Sequence, residues 1–285
     1  MDWLEALQRL RAEGVPAVLA TVVEVRGHAP REAGAKMVVG ADGAWDSIGG
    51  GNLEATVVER VRAMLVSGAT APETLRFALN EHALVEHGRQ CCGGVVGVLL
   101  EPVPARPAVA VFGVGHVGHE LARVLSRLPV RLHLVDSREG QLDPERLADV
   151  LDGTAKVHLH GGPVPEAVLR GLTAGAHVLI MTHDHAEDLV LCDAALRRED
   201  LGSVGLIGSS AKWVRFRTRL RAEGHDEAAV DRIRCPVGLP GIPGKAPAAI
   251  AVSVAAELLR TLSGQRDPHG EAPGPPGRPT GARSA

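Results

Sequence analysis

Aromatic side chains are nearly absent from this chain. It has no tyrosine, three tryptophans and three phenylalanines, 2% of its residues in all. Proteins that grip single-stranded nucleic acid stack bases on such rings, and that class is set aside first. An excess of positive charge is missing too: 31 Lys+Arg stand against 34 Asp+Glu, a formal net charge of -3. A duplex binder needs a cationic face for phosphates, so no nucleic-acid partner is expected. No run of 18 apolar residues occurs, so no membrane span is expected either. The start, Met1-Asp2-Trp3-Leu4-Glu5, reads as a charged amphipathic helix rather than a signal peptide. The four cysteines, Cys91, Cys92, Cys192 and Cys235, are too few and too scattered for a disulfide scaffold. A cytoplasmic location is the natural expectation.

Lysine is scarce, with four residues against 27 arginines. The skew reads as GC-rich codon usage, and Lys36, Lys212 and Lys245 all fall in the motifs below. Glycine, by contrast, is abundant at 34 residues. The 285 residues suggest about two domains at roughly 150 residues each, enough for a sizeable core.

Periodicity divides the chain. Residues 1–101 predict an α+β domain: a helix over 3–12, strands at 16–26, 36–39, 73–79 and 94–100, and a helix over 52–67. A Pro-rich linker is expected at 102–107. Residues 108–263 then alternate short apolar runs (108–113, 130–135, 156–160, 176–182, 203–207) with helical patterns (116–128, 144–151, 164–172, 185–198, 210–223, 246–263). Such alternation predicts an α/β fold, a Rossmann-like doubly wound parallel sheet preceded by the smaller α+β domain. The tail, 264–285, has the Pro/Gly-rich composition of a disordered segment.

Gly113-Val-Gly115-His-Val-Gly118 follows an apolar strand and opens a helix, the G-x-G-x-x-G pattern in its required context. Gly113 would make the tight turn, Gly115 would admit a pyrophosphate, and Gly118 would let helix and strand pack. Asp136 ends the next strand and is placed to accept from a ribose hydroxyl, while Arg138 leaves NADP-like ligands open. The same turn also forms with nothing bound. Thr182-His183-Asp184-His185, with Asp188, ends the fourth strand of this domain, at the edge where ligands gather. His183 and His185 raise the question of a metal, but no further ligand is nominated, and a helix cap is the plainer alternative. Gly238 to Lys245 imitates a P-loop and fails it, with Leu239 where glycine is needed and Ala246 in place of Ser/Thr. Lys245 and Lys212 each sit where a loop enters a helix, suited to an anion or to nothing more than a turn.

In the first domain, Arg31 and Lys36 interrupt β-rich sequence and look aimed at something anionic. Gly49-Gly50-Gly51 offers backbone N–H groups before a helix, an anion cradle; Asn52 is the candidate N-cap. Cys91-Cys92-Gly93-Gly94 holds two adjacent thiols near His87 and Arg89, which favour thiolate. Thiolate is a soft metal ligand; the alternative is that both are small buried apolar groups.

Taken together, Gly27-His-Ala-Pro-Arg31, Gly34-Ala-Lys36-Met, Ile48-Gly-Gly-Gly51 through Glu54, Gln90-Cys-Cys-Gly-Gly94, Gly113 to Gly118, Met181-Thr-His-Asp-His185, Gly208-Ser-Ser-Ala-Lys212 and Cys235 to Lys245 resemble the XdhC/CoxI family, in family order over about residues 3–263. His28 departs from the commoner pattern, in which a small hydroxyl residue is frequent. The resemblance implies a chaperone that binds the molybdenum cofactor (Mo-molybdopterin), holds it while a cysteine desulfurase sulfurates it, and inserts it into apo xanthine dehydrogenase or a related molybdoenzyme. It further implies a homodimer, Cys91 or Cys92 nearest molybdenum, and arginines and glycine amides on the phosphate. Two other readings compete: an NAD(P)-dependent oxidoreductase using the second domain, and a subunit-interaction scaffold with empty pockets.

Overall fold

The computed structural model describes residues 1–79, 94–138 and 140–264. The chain forms two compact units, Met1–Ala108 and Val109–Ala285. The tail beyond residue 264 lies outside the described residues.

The first unit opens with α1 (Trp3–Glu13). Asp2 caps it by accepting from the Glu5 amide, Glu5 reaches back to the Asp2 amide, and Gly14 ends it in the left-handed region. Five strands follow: β1 (Ala17–Arg26), β2 (Lys36–Gly40), β3 (Ala44–Asp46), β4 (Glu73–Leu79) and β5 (Gly94–Val103), in antiparallel order β3-β2-β1-β5-β4. The helix α2 (Gly51–Ser67) links β3 to β4. Side chains of β1 alternate. Val18, Ala20 and Val22 pack with Val57 and Val61 of α2, while Ala17 and Leu19 pack with Ala6 and Leu10 of α1. The sheet is thus covered by one helix on each face. The expected linker is shorter than its composition suggests, because β5 runs on to Val103 and pairs Pro102 with Val18 and Val103 with Ala17.

The second unit carries β6 (Ala108–Phe112), β7 (Arg131–Asp136), β8 (Lys156–Gly161), β9 (His177–Ile180), β10 (Ser203–Leu206) and β11 (Ile233–Arg234). Their order, β11-β10-β9-β6-β7-β8, is that of a doubly wound parallel sheet with its switch point between β6 and β9. β6 is buried at every residue, as a strand covered on both faces must be. The connecting helices are α3 (His116–Leu125), α4 (Ala148–Leu151), α5 (Pro165–Gly171), α6 (His185–Leu196), α7 (Ser210–Ala222), α8 (Glu227–Val230) and α9 (Pro247–Leu262). Leu121 and Leu125 of α3 join Val254 and Leu258 of α9 over Leu132 and Leu134 of β7, forming the core of one layer. β3, β11 and α8 were not expected from periodicity; each has four residues or fewer. Among the described residues no helix is long and apolar enough to cross a membrane.

Candidate functional site

In the second unit the glycine turn sits at the switch point. Gly113 has φ +98°, and a Cβ there would lie 2.3 Å from the Met181 carbonyl oxygen. A Cβ on Gly118 would lie 2.0 Å from the Gly113 carbonyl oxygen. Both glycines are therefore demanded by the packing of the turn itself. Gly115 differs: its φ is -71° and the one atom within 4 Å of an added Cβ is Arg138 Nη2, at 3.6 Å. No backbone presses on it, so its missing side chain leaves space that the turn does not use.

Asp136 stands beside this turn, and its carboxylate is fully engaged. Oδ2 accepts from the Val114 amide at 2.7 Å and from Arg138 Nη2 at 2.8 Å. Oδ1 accepts from the Arg138 amide at 3.0 Å and from Nε at 2.9 Å. Burial pushes this carboxyl up, but the Arg138 side chain, the two amides and the Arg138 charge outweigh it and hold it below the usual carboxylate range. A ribose hydroxyl would have to compete with Arg138 for these oxygens. Arg138 and Asp136 line an open groove of about 760 Å³ with Gly161 and Gly162 at the ends of β7 and β8.

At the neighbouring end of the sheet, Asp188 and Lys212 meet across 24 residues of sequence. Lys212 Nζ donates to Asp188 Oδ2 at 2.5 Å and to the Ile207 carbonyl at 3.1 Å. Asp188 Oδ1 accepts from the Thr182 amide at 3.0 Å and its hydroxyl at 2.8 Å. Asp188 is 0% and Lys212 7% exposed, so this pair is a buried structural tie between the Thr182–His185 loop and α7. Asp184 caps α6 through the Ala186 amide at 2.8 Å, the plainer of the two sequence readings. His183 is exposed. Among the described residues no group of three or more His, Cys, Asp or Glu is arranged to hold a metal ion. Cys192 and Cys235 are free; burial raises both thiols, Cys235 to about 11, so neither is activated. The Gly/Pro loop after β11 is tied down at its start, where the Gly238 amide donates to Glu257 Oε2 at 2.5 Å. Lys245, at its far end, is exposed.

In the first unit three motifs converge. A Cβ on Gly94 would lie 2.3 Å from the His28 carbonyl and 2.7 Å from that of Arg26; one on Gly49 would lie 3.1 Å from Pro30. The Gly27–Arg31 loop, the triple glycine and the end of the Cys-Cys-Gly-Gly motif thus adjoin. Cys91 and Cys92 themselves lie outside the described residues. Arg31 is exposed; Lys36 is half-buried, donates to Thr21 Oγ1 at 3.1 Å and lies over the Trp3 ring. The triple glycine holds φ of +135°, +69° and +60° at Gly49, Gly50 and Gly51. Its amides are partly taken: Gly49 donates to Ser47 Oγ and Gly50 to Glu54 Oε2, each at 3.1 Å. The cradle therefore already holds a carboxylate of the chain's own. The N-cap of α2 is Gly50, not Asn52; Asn52 is buried and its Oδ1 lacks a partner. Sequence reasoning missed Glu54 and Glu257 as loop anchors, since a lone glutamate on a helix carries no signal of what it accepts from.

A doubly wound domain with its glycine turn at the switch point, preceded by a helix-flanked antiparallel sheet, defines a two-domain protein of Rossmann type. Residues 109–258 match the XdhC Rossmann domain, and residues 10–78 match the XdhC and CoxI family. The chain belongs to that family. It is 28% identical over 264 residues to the uncharacterized protein YqeB of Escherichia coli K12, spanning 88% of this chain but 44% of that protein. Among solved structures it is similar to a xanthine dehydrogenase from Bacillus halodurans, 20% identical over 96% of this chain and 98% of that one, with a TM-score of 0.46.

Proposed function

We propose that this chain binds the molybdenum cofactor, holds it for sulfuration by a cysteine desulfurase, and delivers it to apo xanthine dehydrogenase or a related molybdenum hydroxylase. The observation that carries this reading is the match of both units, in chain order, to the XdhC family over residues 10–78 and 109–258. The convergence of the arginine loop, the triple glycine and Gly94 supports it, since it draws the cationic loop to the strand that the cysteine motif enters. When bound, the cofactor supplies a molybdenum centre and a dithiolene. The chain's own groups bind and orient it: Cys91 or Cys92 as the soft donor, and Arg31 with Lys36 for the phosphate. A homodimer working in the cytoplasm belongs to the same proposal. The test is the ligand content of protein made in a cofactor-producing host and purified anaerobically, with metal read by mass spectrometry and pterin by fluorescence after oxidation. Near-stoichiometric pterin, lost in Cys91→Ala or Cys92→Ala without a change in melting temperature, is the expected result. Protein free of pterin overturns the proposal, and retention by both variants removes the thiolate role.

One observation favours a second reading, an NAD(P)-dependent oxidoreductase. Gly115 leaves open space at the point where a pyrophosphate approaches such turns. Against it stands Asp136, whose oxygens are already taken. Calorimetric titration with NAD+ and NADP+ decides, and undetectable binding of both removes this reading.

A further inference from the structure

Four arginines of α7 divide into two pairs on different faces of the helix. Arg217 ion-pairs with Glu227 and with Asp231 (2.8 Å), and Arg221 also pairs with Glu227. Arg215 and Arg219 are exposed, and their side chains make no ion pair or hydrogen bond among the described residues. They stand one turn apart on one face, about 6 Å along the axis. With Lys212, Phe216, Val214 and His185 they line an open groove of about 630 Å³ between α7 and the start of α6. Val214 is 63% exposed, so apolar surface lies beside the two free cations.

Lys212, in the same lining, is already neutralised by Asp188. Asp184, also in the lining, is committed to the α6 cap. The unspent charge is therefore at the two rim arginines, next to the exposed side chain of Val214. A small anion would be left largely in water on such open walls. A polypeptide presenting carboxylates one helical turn apart, with an apolar residue between them, would match both charge and spacing. We infer that this groove docks an acidic, partly apolar segment of a protein partner. Its carboxylates meet Arg215 and Arg219, and its apolar side chain lies on Val214. The identity of that partner, the client apoenzyme, rests on the function proposed above.

The full chain is titrated against purified apo xanthine dehydrogenase at about 50 and about 200 mM salt, a range over which exposed charge pairs are progressively screened. Arg215→Glu/Arg219→Glu is expected to raise Kd at least about tenfold at the lower salt and to reverse the salt dependence, since added salt then screens a repulsion. Arg221→Gln, on the other face, should leave Kd near wild type. Unaltered pterin content and melting temperature in the double variant show that fold and cargo are intact. An unchanged Kd in the double variant overturns the inference. So does loss of a homodimer by sedimentation with client affinity retained, which would assign the groove to a second copy. Wild-type protein that carries pterin but has no affinity for the apoenzyme removes the occupant named here while leaving cofactor binding in place. Wild-type protein without pterin is the separate failure of the cofactor proposal.

Discussion

The two glycine loops look alike in sequence and differ in what makes them glycine. In the Gly113–Gly118 turn, Gly113 and Gly118 are there for want of space, with backbone oxygens 2.3 and 2.0 Å from any added Cβ. In the Gly49–Gly51 loop the constraint is conformational. All three residues have positive φ, yet nothing lies within 4 Å of a Cβ on Gly50 or Gly51. A carboxylate of the chain closes each loop: Asp136 on the Val114 amide, Glu54 on the Gly50 amide. The lesson is that a glycine-rich loop before a helix is not in itself a sign of a ligand. The informative residue is Gly115, which neither sterics nor φ requires.

Substitutions sharpen this contrast. Gly118→Ala should be the most damaging, at about 3 kcal/mol or more by urea unfolding, because the obstructing atom is backbone and cannot swing away. A loss under about 1 kcal/mol would mean that the turn relaxes and that space is not its constraint. Asp136→Asn comes next, costing about 2 kcal/mol at neutral pH, since buried amide and guanidinium donors lose a charged acceptor. The same change should alter the acid limb. The folded carboxyl titrates below its ordinary value of about 3.9, so its stabilisation is present above that pH and is lost as pH falls below it. A melting-temperature series from pH 6 to about pH 3 should fall more gently in the variant than in wild type; parallel curves would refute the assignment. Gly50→Ala, strained only by its backbone (φ +69°, ψ -171°, a region essentially reserved for glycine), should cost about 1–2 kcal/mol. Gly115→Ala should change stability by less than about 0.5 kcal/mol. If it also leaves nucleotide titrations unchanged, the open space above it serves no nucleotide.

Much of this was legible in the sequence, and the failures have physical causes. The long elements announced themselves: α2, α3 and α6 each bury one face at helical spacing, and the longer strands of the second unit read as short apolar runs, β6 and β9 being buried at every residue. β3, α8 and β11, at three, four and two residues, are too short to show any period. The cap of α2 was misplaced because Asn is the stronger cap by type, whereas the positive φ of Gly49 to Gly51 shifts the helix start to Gly50. Asp188 and Lys212 were both singled out, but their union was not, since a contact across 24 residues depends on how α6 and α7 pack. Likewise the pairing of Asp136 with Arg138 turns a candidate ribose acceptor into an occupied one.

The switch point has a consequence for the order in which the second unit is assembled. β6 pairs with β9, so Val109 meets His177 across a long stretch of chain. β6, β7 and β8 are close in sequence and suited to collapse early, whereas the β6–β9 seam must wait for a costly loop to close. The Gly113 turn is pressed against Met181, and the Met181 amide donates to the Phe112 carbonyl at 2.8 Å, so the turn straddles that seam. A half-made domain has no finished turn to offer. Whatever recognises that edge is thereby inspecting whether the two halves have come together.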